Sequence, residues 1–163
     1  MISNIFIEIL VLGAIGIFLV LGSVQDIIYR SVPNIIPLII LILSSASAVI
    51  NNRIMEGLLV FILTMLASLF LYTRRAIGGA DAKLLMSLAP LVPVSLMAFS
   101  LLWLAFFLLG FSLLYLFLNI IKFKTGQQQL LLETSIPFFV PVTFSYFFII
   151  KTTASEYTFA GLF

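Results

Sequence analysis

Long apolar runs, interrupted by short polar clusters, fill almost the whole chain. Dividing them at those clusters, with about 20 residues per membrane crossing, predicts about six helices. The first runs about Ile5–Ile28, the second Asn34–Ile50, the third Met55–Tyr72 and the last Pro137–Ile150. Between Asp81 and Ile121 the apolar stretch is about twice one span, with Pro90 and Pro93 as breakers in its first third. Two helices fit there, at about Ala82–Leu96 and Phe99–Ile121. The N-terminal run keeps an apolar core from Ile9 to Gln25 with no basic region ahead of it and no small-residue cleavage site, so it is expected to be a retained helix rather than a signal peptide.

Composition supports a bundle in lipid. Hydrophobic residues make up 63% of the 163 positions and charged residues 9%, with a mean hydropathy of +1.31. Such a chain cannot clothe a soluble domain in polar side chains. The expectation is an all-α membrane protein, polytopic, forming one integral membrane domain over residues 1–163 with no linker. The chain has no cysteine, which removes disulfides, thiolate nucleophiles and cysteine-held metal. It also has no histidine, and so no imidazole base. A net charge of +2 is too small and too scattered for nucleic acid; lipid headgroups are the expected neighbours.

Basic residues near helix ends favour the cytoplasmic side. With six helices, Arg30, Arg74, Arg75, Lys83, Lys122 and Lys124 fall in one set of loops, against Arg53 and Lys151 in the other. That asymmetry predicts both termini outside and places Asp26 and Asp81 on one cytoplasmic face. The most polar connection, Lys122–Ser135, lies on the same side, with Thr134 or Ser135 available to cap the last helix.

Those two aspartates are the candidate chemistry, because an ionised carboxylate at an apolar helix end is costly to keep. Asp26 opens DIIYRSVPN, residues 26–34, and Asp81 lies in IGGADAKLL, residues 77–85. Arg30 stands four residues after Asp26, close enough to pair with it if the helix continues another turn. Pro33 holds Val32 extended and is expected in the first turn of the second helix. Gly78 and Gly79 precede a helix start and permit close approach or unusual dihedrals, with Asp81 expected at or near the N-cap. Read singly, each aspartate also has a structural role: Asp26 as an interfacial partner of Arg30, Asp81 as a helix cap. Lys83 reads as an interfacial anchor able to modify Asp81, and Arg74 and Arg75 as topology determinants. Glu8, Glu56, Glu133 and Glu156 receive no role.

Together the two segments resemble the type IV prepilin peptidase and archaeal preflagellin peptidase family. Asp-x-x-x-Arg-x-Val-Pro-Asn is followed, 55 positions from Asp26 to Asp81, by Gly78-Gly79-Ala80-Asp81 with Lys83 two further on. IPFFVPVTFSYFF, residues 136–148, is similar to the segment that opens that family's last helix. The resemblance implies a six-helix GxGD-type aspartyl protease with Asp26 and Asp81 as the catalytic pair and no metal. Arg30, Gly78, Gly79, Ala80 and Lys83 would support the pair or the substrate. It also implies a substrate class: pilin-like or archaellin-like precursors, cleaved at the cytoplasmic face between a short basic leader and an apolar helix. Ala80 stands where the family pattern has its second glycine, and alanine would be strained if that position required positive φ. The cysteine-rich segment of bacterial members is absent, so product methylation is not expected. Two other readings of paired acids stay open at this level: a proton-coupled carrier, and a non-catalytic assembly protein.

Overall fold

The computed structural model describes residues 2–29, 31–75, 77–124 and 139–147, all helical or in short turns, with no strand among them. Helix α1 spans Ile2–Tyr29, α2 Ile35–Ile50, α3 Ile54–Thr73, α4 Gly79–Leu88 and α5 Met97–Lys124. A further helix, α6, covers 139–147. Three stretches, Phe6–Tyr29, Ile54–Thr73 and Val94–Leu114, are long and apolar enough to cross a membrane. Their outward faces are correspondingly hydrophobic, as in Leu102 and Phe106, which are 69% and 63% exposed. Water would tolerate no such continuous surface, whereas lipid tails solvate it.

The first three helices lie within three residues of their expected bounds. The fourth does not. It ends at Leu88, after which Ala89–Leu91 and Val94–Leu96 form separate 3-10 turns. Pro90 and Pro93 cause this, since each lacks an N–H and Pro93 restrains Val92 to extended backbone. At about 15 Å, α4 is half the thickness of a hydrocarbon core. Helix α5 in turn continues through Lys124, so Lys122 and Lys124 lie in its last turn rather than in a loop. Residues 125–138 fall outside the described residues, and with them Thr134 and Ser135.

Helix ends are set by local chemistry. After α2, Asn52 adopts the left-handed conformation at φ 54, while Arg53 N–H donates to the Ala48 carbonyl and Asn52 N–H to Val49. This closes the helix as a Schellman turn with asparagine in glycine's place. Asn51 also donates its side-chain amide to Glu8 across on α1 at 2.8 Å, giving Glu8 a partner that the sequence did not disclose. Pro33 sits just ahead of α2 rather than in its first turn, because Asn34 is the N-cap.

Helix α2 is central, packing on α1, α3, α4 and the first 3-10 turn. Small residues allow the approach: a Cβ on Gly57 would lie 3.1 Å from Ala48 and 3.3 Å from the Pro90 carbonyl. Ser44 on α2 donates to the Ser87 carbonyl on α4. One core joins Ile15 and Leu19 of α1, Ile36 and Ile40 of α2, Leu84 of α4, and Phe139, Val142 and Tyr146 of α6. The core therefore connects α1 and α6, which lie more than a hundred residues apart in sequence.

Candidate functional site

Asp26 lies in the last turn of α1 and is partly buried. Its Oδ2 accepts the backbone N–H of Phe139 at 3.3 Å. Phe139 is the first described residue of α6. A turn further along α1, Ser23 and Thr143 place their hydroxyls 2.8 Å apart. Still further, Tyr146 donates to the Leu12 carbonyl at 2.9 Å. The order of these contacts makes α1 and α6 antiparallel. Gly22 makes the approach possible, since a Cβ there would meet the Phe139 ring at 2.5 Å.

Asp81 occupies the third position of α4 rather than the N-cap. Gly78 is the N-cap, with extended backbone at φ −74 and ψ 161. Its N–H donates to Asp81 Oδ2 at 3.0 Å, so the carboxylate reaches back over the helix start as in half of a capping box. Gly78 thus supplies space rather than an unusual dihedral: a Cβ would lie 3.0 Å from that same oxygen. Gly79 meets only ordinary contact, with Tyr72 at 3.6 Å. Ala80 lies in the first turn of α4. Its φ is not positive, since among the described non-glycine residues only Asn52 and Arg75 have positive φ. Alanine at this position is therefore unstrained.

The two motifs meet. Lys83 Nζ donates to Asn34 Oδ1 at 2.8 Å, joining the segment that follows Asp26 to the helix that carries Asp81. Burial pushes the Asp81 carboxyl above its ordinary value of 3.8, the Gly78 N–H opposes that shift, and the charge of Asp26 adds to it. The two acids thus share an electrostatic environment at one end of the bundle. Arg30, expected to pair with Asp26, lies outside the described residues. Arg74 stacks over the Phe70 ring at 5.3 Å, and Arg75 at φ 57 terminates α3. Among the described residues no cluster of three acids could hold a metal ion.

Sequence reasoning missed Asn34 as the partner of Lys83, Phe139 N–H as a donor to Asp26, and the Ser23–Thr143 pair. The first was legible in principle, because Asn34 closes the Asp26 motif. The others follow only from which helices pack together. The chain matches the type IV leader peptidase family over residues 13–121, about two thirds of its length, a range that includes both aspartates. Neither a curated protein nor a solved structure matches it.

Proposed function

We propose, because this chain belongs to the type IV leader peptidase family, that Asp26 and Asp81 form the catalytic pair of an aspartic endopeptidase. The proposed enzyme is a single membrane-embedded unit that removes the short basic leader of pilin-like or archaellin-like precursors at the cytoplasmic face. A membrane peptidase of prepilin type follows from the family and the apolar helices. The aspartic mechanism, the precursor class and the sidedness are our reading. It is supported by the Lys83–Asn34 hydrogen bond, which joins the two motifs at one end of the bundle, and by the charge of Asp26, the least of three influences on the Asp81 carboxyl.

In the proposed pair the two carboxylates approach one another, cannot both ionise cheaply and so hold one proton between them. Burial favours Asp81 as the member holding that proton. Asp26 takes a proton from water as the water oxygen attacks the scissile carbonyl carbon, and Asp81 gives its proton to the carbonyl oxygen. The C–N bond then breaks as Asp26 gives its proton to the leaving nitrogen and Asp81 takes one from a hydroxyl of the diol, which becomes the product carboxyl, so each carboxyl resumes its first state. Asp81 keeps the Gly78 N–H throughout, which fixes the direction of its carboxylate. The apolar start of the mature substrate would lie in lipid while the leader junction meets water at the carboxylates.

Co-expression with a precursor bearing a basic leader tests the proposal. The unmodified chain is expected to shorten the precursor by its leader, and Asp26→Asn and Asp81→Asn to leave it intact. Cleavage that survives either substitution removes the pair. No cleavage by the unmodified chain removes the peptidase assignment for that precursor class.

A further inference from the structure

Helices α1 and α6 are joined by two polar rungs on matching faces. Ser23 and Asp26 are three residues apart on α1, and Phe139 and Thr143 are four apart on α6, so each pair lies on one side of its helix. The lower rung is Asp26 Oδ2 with the Phe139 N–H. The upper rung is a hydroxyl cluster. Ser23 Oγ lies 2.8 Å from both the Leu19 carbonyl and Thr143 Oγ1. Thr143 Oγ1 also lies 2.8 Å from the Phe139 carbonyl and 3.3 Å from that of Leu19. Both side chains are buried, at 8% and 7% exposure.

Two hydroxyl protons thus serve four oxygen contacts, in a place where lipid offers no alternative partner. Phe139 is held at both ends of its own residue. Thr143 takes its carbonyl, the Asp26 carboxylate takes its N–H, and its fully buried ring fills the space left by Gly22. The carboxylate contact is long at 3.3 Å, so small shifts of α6 weaken it readily.

We infer that Ser23 and Thr143 are positioning residues for Asp26: their hydroxyl pair sets the depth of α6 against α1 and so holds the Phe139 N–H on the carboxylate. The inference rests on the peptidase reading above. The device holds Asp26 Oδ2 on a main-chain donor and so restrains the orientation of the carboxylate. Both hydroxyls are buried in the α1–α6 contact and act through a main-chain donor.

The test uses the full chain in detergent micelles and a precursor with a basic leader followed by an apolar helix, with kcat and KM measured separately. Thr143→Val keeps the shape and removes the hydroxyl. It is expected to lower kcat about 10-fold, as for weakening one hydrogen bond to a charged group, with KM within about twofold. Thr143→Ser, which keeps the hydroxyl, is expected to restore kcat to within about threefold of the unmodified chain on the same grounds. Ser23→Ala combined with Thr143→Val is expected to be no slower than Thr143→Val alone, since the two act as a unit. Should Thr143→Val fail to give folded protein, Ser23→Ala, which leaves the Thr143 contact to Phe139, carries the same kcat measurement. An unchanged kcat, a loss confined to KM, or additive losses would overturn the inference while leaving the peptidase assignment intact. Failure of the unmodified chain to cleave would overturn both.

Discussion

Replacing Gly22 by alanine sets two effects of opposite sign against each other. In a helix interior, alanine is favoured over glycine by about 1 kcal/mol, because glycine loses more backbone freedom on folding. At Gly22, however, the new Cβ would sit 2.5 and 2.6 Å from two ring carbons of Phe139, a side chain with no exposed surface. Ordinary contact begins near 3.4 Å, so the ring must withdraw by about 0.9 Å. The core offers little room, since Phe139 packs among Ile15, Leu19, Ile36 and Val142. Overpacking of this kind costs about 1–3 kcal/mol, which exceeds the propensity gain over most of that range. Net destabilisation of about 1 kcal/mol is therefore expected. Moving Phe139 by such a distance also takes its N–H out of reach of Asp26, now 3.3 Å away, so cleavage should slow as well.

Gly13 on the same helix provides the control, because a Cβ there meets nothing within 4 Å. Gly13→Ala should be neutral or stabilising by up to about 1 kcal/mol. Thermal unfolding in micelles, followed by helix circular dichroism, reads both variants against the unmodified chain. Phe139→Leu should soften the penalty, so Gly22→Ala should cost less on that background than on the original one. Equal melting of the Gly13 and Gly22 variants, together with normal cleavage by both, would refute the packing of α6 on α1 described above.

Other outcomes follow from the carboxylates. Asp81 has its folded value raised above 3.8, so its favourable contribution is complete below that pH and is lost as pH rises through the folded value. Asp81→Asn should therefore gain stability relative to the unmodified chain on going from pH 3.5 to pH 7; no relative change, or a relative loss by the variant, contradicts the burial argument. Gly78→Ala crowds the Asp81 oxygen at 3.0 Å and should slow cleavage several-fold while changing stability by only about 1 kcal/mol, a split visible by comparing rates with melting. The Lys83–Asn34 hydrogen bond is exposed, so Lys83→Gln should shift stability by less than about 1 kcal/mol and leave more than a third of the cleavage rate; complete inactivation would promote Lys83 from anchor to chemistry.

Much of this architecture was legible from the chain. Apolar runs bounded by Asn34, Asn51 and Arg74 fixed three helices closely, because burying backbone in lipid forces each run to satisfy its hydrogen bonds as helix. The misjudged fourth helix had its warning in Pro90 and Pro93, but prolines can kink a membrane helix without ending it, and only packing of the first 3-10 turn on α2 and α3 decides the outcome. At the site, the motifs around Asp26 and Asp81 announced the acids. The need for Gly78 was legible too, though for a different reason: it makes room for a carboxylate rather than adopting an unusual dihedral.

The sequence by itself determined a helical membrane chain with two acids at helix ends, since hydropathy and motif spacing are local properties. Which helices touch was left to the tertiary structure. Helices in lipid are apolar on every side, so periodicity does not mark the faces that meet. Selection falls instead to a few small or hydroxylated positions, Gly22 under Phe139 and Ser23 beside Thr143, whose partners stand more than a hundred residues away. Packing at those positions gives Asp26 a main-chain donor that its own segment could not supply.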